Sequence, residues 1–286
     1  MDNHTFFSER YSQMQGSLKP IRIPRCIRTN TQKISSEELY TRLTKRGVHL
    51  KKIPFLTNGF SIHSPRFNLV STPEYLLGLF YIQDAATQLP AELLKPHSVT
   101  LDGFAAPGGK TTHLACYAPV IAIENNLQRL DKLHNNLERL GIQNCITYHM
   151  DFLELQQHFS SILLDVPCSG NYMLEPNWIT KNSLTRIQER AQTQKQYLTH
   201  ALNLLKPKGT LIYCTCSLEP EENEMVLQHA LNTHPISLEP INTIGDPGLT
   251  HFEKHQFHDS MKHCRRLWPA KTNTIGFFIA RMTKHA

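Results

Sequence analysis

The chain has no long hydrophobic run. Its first ten residues, Met-Asp-Asn-His-Thr-Phe-Phe-Ser-Glu-Arg, bring charge early and no apolar stretch, so neither a signal peptide nor a membrane span is expected. It also lacks a paired set of cysteines. The seven, at 26, 116, 145, 168, 214, 216 and 264, are odd in number and scattered, which argues against a disulfide framework and for a reducing, cytoplasmic compartment. Internal repeats and low-complexity tracts are absent. Excess positive charge is missing from most of the chain: residues 76–286 hold 18 Lys/Arg against 19 Asp/Glu, while residues 1–75 hold 12 against 5. The whole surplus of +6 therefore lies in the first quarter. A basic segment beside a neutral body implies a polyanion partner, most simply nucleic acid. A soluble basic surface with no specific partner is the plainer alternative.

What is present is an α/β rhythm. With 286 residues, 40% of them hydrophobic, the chain can bury one large core or two modest ones. Strands are expected at 99–104, 120–124, 145–150, 161–166 and 209–216. Helices are expected between them at 110–118, 127–140, 184–205 and 219–232, and late strands at 236–241 and 274–282. Strands alternating with helices predict a parallel sheet covered on both faces, with an antiparallel final strand. Leu127, Leu130, Leu133, Leu137 and Leu140 recur at helical spacing and read as a core stripe.

The N-terminal quarter reads as a small α+β unit with a basic face. Residues 1–20 look like a polar lead-in with a short helix. Arginines alternate with apolar residues over 21–31, so one face of a strand there would be basic. Ser35 and Ser36, followed by Glu37, Glu38 and Leu39, read as a capped helix start, the helix ending at Gly47, and short strands follow at 48–54 and 59–63. Residues 64–76, with Pro65, Ser71 and Pro73, read as a linker. This divides the chain into a basic RNA-binding subdomain, 1–75, and a catalytic domain, 76–286.

The stretch from Val99 to Thr112 carries the first chemistry. A strand end, a glycine-rich loop from Gly103 to Gly109 and a helix start read as a nucleotide site, because glycines admit the ligand close to free amides; an ordinary tight turn in an α/β protein is the plainer reading. The loop lacks the spacing of a triphosphate-binding loop, so a nucleoside-like cofactor fits better. Glu124 ends the next strand, where a carboxylate accepts from ribose hydroxyls. Asp151 follows the third strand, where an acid meets an adenine amino group. Helix capping is the alternative reading of both.

Two cysteine strings fall at strand ends: Asp165-Val-Pro-Cys168-Ser-Gly and Cys214-Thr-Cys216-Ser-Leu-Glu-Pro-Glu-Glu-Asn-Glu224. A thiol there is poised to attack an electrophile as thiolate. Cys214 lies within its strand and is expected to face the core. A metal held by Cys214 and Cys216 is disfavoured, since alternation splays the two thiols apart. His251, His255, His258, His263 and Cys264 crowd one late segment, read as a polar surface loop without metal. The acids from Leu218 to Glu224 read as a helix N-terminus, where the dipole favours them.

With these motifs the chain resembles the RNA cytosine-5 methyltransferases that use S-adenosylmethionine, the Nop2/Sun and bacterial ribosomal-RNA type. The resemblance covers about residues 27–282. It rests on Ala105-Ala-Pro-Gly-Gly-Lys110, Asp165-Val-Pro-Cys-Ser169, Thr215-Cys-Ser217 with the following Leu-Glu-Pro-Glu-Glu-Asn, and Gly276-Phe-Phe-Ile-Ala-Arg281. Tyr81-Ile-Gln-Asp84 and Arg28-Thr-Asn-Thr31 add to it. The chain departs from the family pattern at Phe104, often smaller or sulfur-bearing, at Asn171-Tyr172, where Thr-Gly is common, and at Ile275, where an acid is usual.

The resemblance implies a seven-stranded, Rossmann-like methyltransferase sheet preceded by a small α+β RNA-recognition-like subdomain. It implies a cofactor site at Phe104, Ala105, Ala106, Pro107, Gly108, Gly109 and Lys110, with Glu124, Asp151 and Asp165. It further implies Cys216 as nucleophile on cytosine carbon 6, Cys168 as the cysteine assisting product release, Asp165 at ring nitrogen 3, and Lys110 beside the base. If the DNA-enzyme pattern applied instead, Cys168 would be the nucleophile. The expected substrate is tRNA, because the compact chain resembles small archaeal-type tRNA enzymes; ribosomal RNA is the close alternative. A monomer is expected. The rival readings are an RNA-binding assembly factor with a vestigial site, and a small-molecule methyltransferase.

Overall fold

The structure is a computed structural model in which residues 2–63 and 67–286 are described. In chain order the helices and strands are α1 (Asn3–Gln13), β1 (Cys26–Thr29), α2 (Ser36–Lys45), β2 (His49–Lys52), β3 (Gly59–His63), α3 (Pro73–Leu76), β4 (Phe80–Ile82), α4 (Ala85–Leu94), β5 (Thr100–Asp102) and α5 (Gly109–Leu114). There follow β6 (Val120–Glu124), α6 (Leu127–Leu140), β7 (Cys145–His149), β8 (Phe159–Asp165), α7 (Trp178–Lys181), α8 (Leu184–Leu204), β9 (Leu205–Thr215) and α9 (Glu224–Thr233). The chain closes with β10 (Ile236–Glu239), β11 (Asp246–Pro247), β12 (His251–Phe252), β13 (His255–Gln256), β14 (Arg265–Leu267), α10 (Pro269–Thr272) and β15 (Phe277–Lys284). They divide between two compact units, Pro24–Leu155, and Met1–Ile23 with Gln156–Ala286.

Within the unit from residue 24 to 155, β5, β6 and β7 are parallel neighbours in that order. All five residues of β6 are buried. An uninterrupted Val-Ile-Ala-Ile run suits a parallel strand covered on both faces. The helix α6 begins where the Asn126 side chain accepts from the Arg129 amide and ends at Gly141, whose φ of 70° is the usual helix stop. Leu130, Leu133, Leu137 and Leu140 are buried as the stripe predicts, but Leu127 is 59% exposed because the first turn lies beyond the packed surface.

The same unit holds a four-stranded antiparallel sheet in the order β2-β3-β1-β4. Ser35 caps α2 by accepting from the Glu38 amide, and Leu39 and Leu43 are fully buried against Ile27, Phe60 and Phe80. Two expectations change here. Residues 67–76, read as linker, carry a 3₁₀ turn with Leu69 fully buried and then α3; Pro65 lies outside the described residues. The chain next adds β4 to the small sheet, which therefore runs past residue 75. The alternating arginines of 21–31 do not form one basic strand face either: only 26–29 is strand, all four residues are buried, and Arg28 points inward.

In the other unit, β8 and β9 are parallel, β15 runs antiparallel to β9, and β10 and β14 pair antiparallel with β15. The antiparallel final strand is as expected. The fold class is α/β with a mixed sheet and a separate small N-terminal sheet. Seven strands were expected; the described residues instead give β5, β6 and β7 in the first unit and six strands, β8, β9, β10, β11, β14 and β15, in the other.

Residues 1–20 are more than a lead-in. Helix α1 buries Phe7, Arg10 and Tyr11. Phe7 lies 4.7 Å from Trp178 and Tyr11 5.3 Å from Trp268 between ring centroids. No helix among the described residues is long and apolar enough to cross a membrane.

Candidate active site

The glycine loop is built to hold one shape. Asp102, buried at the end of β5, accepts from the Thr111 hydroxyl at 2.8 Å, tying the strand to the first turn of α5. Gly108 precedes that helix with φ of 106°, which a side chain would strain, and a Cβ there would lie 2.9 Å from Leu133. Two loop carbonyls are taken by donors from α6: Arg129 donates to Ala106 at 2.7 Å and Asn136 to Pro107 at 2.9 Å. Ala105, Ala106 and Gly108 are buried, Phe104 and Gly109 half-buried, and Pro107 exposed. Lys110 sits half-buried in the first turn of α5.

Glu124 ends β6 almost fully buried. Its Oε1 accepts from the Asn126 amide at 3.0 Å, whereas Oε2 is buried with no hydrogen-bond partner, the Arg129 guanidinium standing off at 3.5 Å. A buried carboxylate oxygen without a donor is costly. It is the observation that fits this end of the unit to a hydroxylated ligand such as the ribose of S-adenosylmethionine. Asp151 lies after β7, half-buried, and caps the 3₁₀ turn at Phe152 by accepting from the Leu153 amide at 2.9 Å. The cap takes one carboxylate oxygen, Oδ1. Phe104 and Phe152 meet at a tilt of 43° with centroids 5.2 Å apart, an apolar wall the motif did not reveal.

Arg28, from the centre of the small sheet, also reaches this loop. Its Nη1 donates to the Gly109 carbonyl at 2.5 Å and to Gln83 at 3.0 Å, and Nη2 donates to the Thr112 hydroxyl at 2.8 Å. Burial pulls its guanidinium down to about 10. Arg28 is thus a buttress for the start of α5, not part of a basic surface.

In the second unit the two cysteine strings meet. Asp165 is half-buried at the end of β8, in register with Cys214, whose thiol donates to Asp165 Oδ1 at 3.4 Å. Cys214 is fully buried, as strand alternation predicts. Cys216 follows the end of β9, half-buried, and its sulfur lies 2.9 Å from that of Cys168. That contact, burial and the nearby Glu222 carboxylate hold the Cys168 thiol well above its ordinary range, so it keeps its proton at neutral pH.

The acids after Cys216 are not a solvated helix start. Glu219, Glu222 and Glu224 are fully buried, and each has its own partner. Glu219 and Glu221 take Arg10 of α1 at 3.0 and 2.5 Å; Glu224 takes Arg266 at 2.6 Å; Glu222 accepts from Ser169. Burial pushes the Glu219 carboxyl up to about 7 in spite of Arg10. The late histidines lie on the β12–β13 hairpin and the turn after it. Cys264 there is buried, and His263 pairs with the Leu238 carbonyl at 2.8 Å. Among the described residues no three His, Cys, Asp or Glu side chains converge on a metal position.

Residues 91–283 match the 16S rRNA methyltransferase RsmB/F family, and residues 4–85 match the N-terminal domain of 16S rRNA methyltransferase RsmF. The chain belongs to the RsmB/F family. It is 36% identical to a 28S rRNA (cytosine-C(5))-methyltransferase of Mus musculus over 91% of this chain and 35% of that protein. It is 36% identical to ribosomal RNA small subunit methyltransferase F of Shewanella sediminis, over 94% of this chain and 58% of that protein. The chain therefore spans about a third to three-fifths of these relatives' length. Among solved structures, a methyltransferase homolog protein from Pyrococcus horikoshii superposes with a TM-score of 0.88 at 37% identity. The match covers 98% of this chain and 94% of that one.

Within the RsmB/F family pattern, Asn171 is the residue that sequence reasoning undervalued. It stood out only as a departure, yet it is fully buried and bonds the Cys216 carbonyl. Glu222 and Arg28 lay within quoted motifs and Arg10 in the lead-in, but the roles of all three carried no local signal, because their partners lie far away in the chain.

Proposed function

We propose that this RsmB/F-family chain transfers a methyl group from S-adenosylmethionine to carbon 5 of a cytosine in ribosomal RNA. The observation that carries the reading is the 2.9 Å contact between the sulfurs of Cys168 and Cys216. A structural role for two free, half-buried thiols at strand ends would not need them side by side. The ribosomal substrate is favoured over tRNA by the curated relatives, whose names are those of 28S and small-subunit rRNA enzymes. The division of labour is RNA contact by the basic small sheet, which runs on to β4, and catalysis by the rest of the chain, acting as a monomer.

In this reading the loop from Phe104 to Lys110 receives the cofactor, Glu124 Oε2 accepts from ribose hydroxyls and Asp151 meets the adenine amino group. When bound, S-adenosylmethionine supplies the sulfonium methyl that carbon 5 accepts. Carbon 5 of cytosine is too weak a nucleophile by itself. The Cys216 thiolate adds to carbon 6, forming the sulfur–carbon bond and moving the ring double-bond pair toward carbon 5. Asp165 meets ring nitrogen 3, where charge develops, and Lys110 faces the base. After methylation, water takes the carbon 5 proton, and the released C–H pair restores the double bond and expels Cys216 as thiolate. Cys168, a neutral thiol, assists by hydrogen-bonding the departing sulfur or the water. The target base must leave its stack to admit these groups.

The deciding experiment is bisulfite sequencing of ribosomal RNA and tRNA from cells with and without the gene. Loss of one rRNA 5-methylcytosine, restored by the wild-type chain but not by Cys216→Ala, is the expected result. An unchanged rRNA profile with a lost tRNA site would return the reading to tRNA. No change in any RNA would remove it.

A further inference from the structure

Three positions around Cys168 are held from outside its own loop. Gln194 of α8 donates to the Pro167 carbonyl at 2.9 Å and to Glu222 Oε1 at 3.0 Å. Glu222 Oε1 also accepts from the Ser169 amide at 2.9 Å, and Oε2 accepts from the Ser169 hydroxyl. Asn171 Nδ2 donates to the main-chain carbonyls of Cys216, at 2.6 Å, and of Gly276, at 3.0 Å, while its Oδ1 accepts from the Met173 amide at 2.9 Å. Gly276 permits this approach: a Cβ there would lie 3.0 Å from Asn171 Nδ2 and 2.9 Å from Leu218.

We propose that Glu222 and Asn171 form a two-point clamp that sets the Cys168 thiol against the Cys216 sulfur. Both are positioning residues: neither side chain bonds either sulfur. The proposal rests on the reading in which Cys216 attacks carbon 6 and Cys168 assists release. Asn171 fixes the distance, because one amide joins the loop three residues beyond Cys168 to the backbone of Cys216 itself. Glu222 fixes the state, because it brings a negative charge to the residue next to Cys168.

A clamp needed only for shape would not require that charge. Irregular loops must find partners for their amides, but a glutamine would supply an acceptor without the cost of burying a carboxylate. The groups facing Glu222 are the Ser169 and Ser217 hydroxyls, the Gln194 amide, Cys168, and Tyr213, whose hydroxyl donates to the Glu222 carbonyl at 2.6 Å. Burial pushes the Glu222 carboxyl up and those hydrogen bonds pull it down. Cys168 is also faced by Cys216, and Tyr213 by Cys214 and Glu224. Ionising Cys168 would therefore place its charge beside Glu222, whose carboxyl already raises the thiol.

The test uses the full chain without RNA or cofactor, iodoacetamide as probe, and mass spectrometry to follow Cys168 and Cys216 separately from pH 6 to 10. Glu222→Gln should speed alkylation of Cys168 about tenfold near pH 8.5, the effect of lowering a thiol by one unit, with melting temperature little changed. Asn171→Ala should lower kcat for methyl transfer about 10- to 100-fold while KM for RNA stays within about twofold, the pattern of a misplaced reacting group. Asn171→Thr should recover part of the loss, since a hydroxyl still donates to the Cys216 carbonyl.

Wild-type thiol profiles in Glu222→Gln, or loss of activity in Asn171→Ala matched by loss of folded protein, would overturn the clamp. If Glu222→Gln does not fold, the Asn171 pair decides the question. If the wild-type chain methylates no RNA, the functional reading fails, and the alkylation profile still judges the clamp.

Discussion

The Cys168 thiol keeps its proton at a pH where an exposed cysteine begins to lose it. It therefore stands beside Cys216 as a neutral partner and not as a second nucleophile. Cys168→Ala should leave an enzyme–RNA adduct that survives denaturing electrophoresis, and Cys216→Ala should form none. Normal turnover in Cys168→Ala, with no trapped species, would remove its role in release. Glu124 makes a separate prediction. Because its Oε2 has no hydrogen-bond donor within the protein, Glu124→Ala should weaken S-adenosylmethionine binding by about 1–3 kcal/mol, the cost of a charged hydrogen bond. The melting temperature of the free protein should barely move. Calorimetric titration of the cofactor checks this. At this scale the sequence was informative where a motif is local: the two cysteines and the glycine loop could be picked out by type and spacing. Asn171 and Glu222 could not, because each acts on main-chain groups 45 and 53 residues away, and such bonds leave no periodic trace.

Among elements, β6 and α6 were legible to the residue, since hydrophobic periodicity and caps coincide there. The helix in residues 1–20 and the acids at a helix start after Cys216 are as expected, but their burial was missed, and for one reason. Each looks polar alone, and only their pairing explains either. Arg10, buried, faces Glu219 and Glu221. Removing it leaves buried carboxylates without a cation, so Arg10→Ala should cost about 3–5 kcal/mol, read by urea unfolding. The penalty should depend on pH. With Arg10 present the Glu219 carboxyl already stands at about 7, above its unfolded value. Without Arg10 it would stand higher still. The folded state then binds the proton more tightly than the unfolded state, and that stability is lost as pH rises. Arg10→Ala should therefore be more damaging at pH 8 than at pH 5.

For the molecule as a whole, charge was read correctly in total and incompletely in place. The N-terminal surplus is real, but Arg10 and Arg28 are buried and Arg46 pairs with Glu74 at 2.7 Å. Lys45 on α2 and Lys51 and Lys52 on the edge strand β2 remain exposed. Replacing these three by Gln should weaken RNA binding and flatten its salt dependence, by roughly one unit of slope for each phosphate that is no longer neutralised. A filter-binding titration at several salt concentrations measures it. Stability should also fall at alkaline pH. Burial raises Cys26 to about 12 from 9.0. Above 9 the unfolded thiol loses its proton while the folded one keeps it. Each pH unit from 9 toward 12 therefore costs about 1.4 kcal/mol for such a group.

The docking of α1 also bears on how the chain is made. The stretch Pro24–Leu155 is continuous and can close as soon as it emerges, but Phe7 must wait for Trp178 and Tyr11 for Trp268. At translation rates of roughly 5–20 residues per second, the first helix is left without its aromatic partners for about ten seconds or more on the ribosome. Its oily side, Phe7 and Tyr11, is bare throughout that interval and open to non-native contacts.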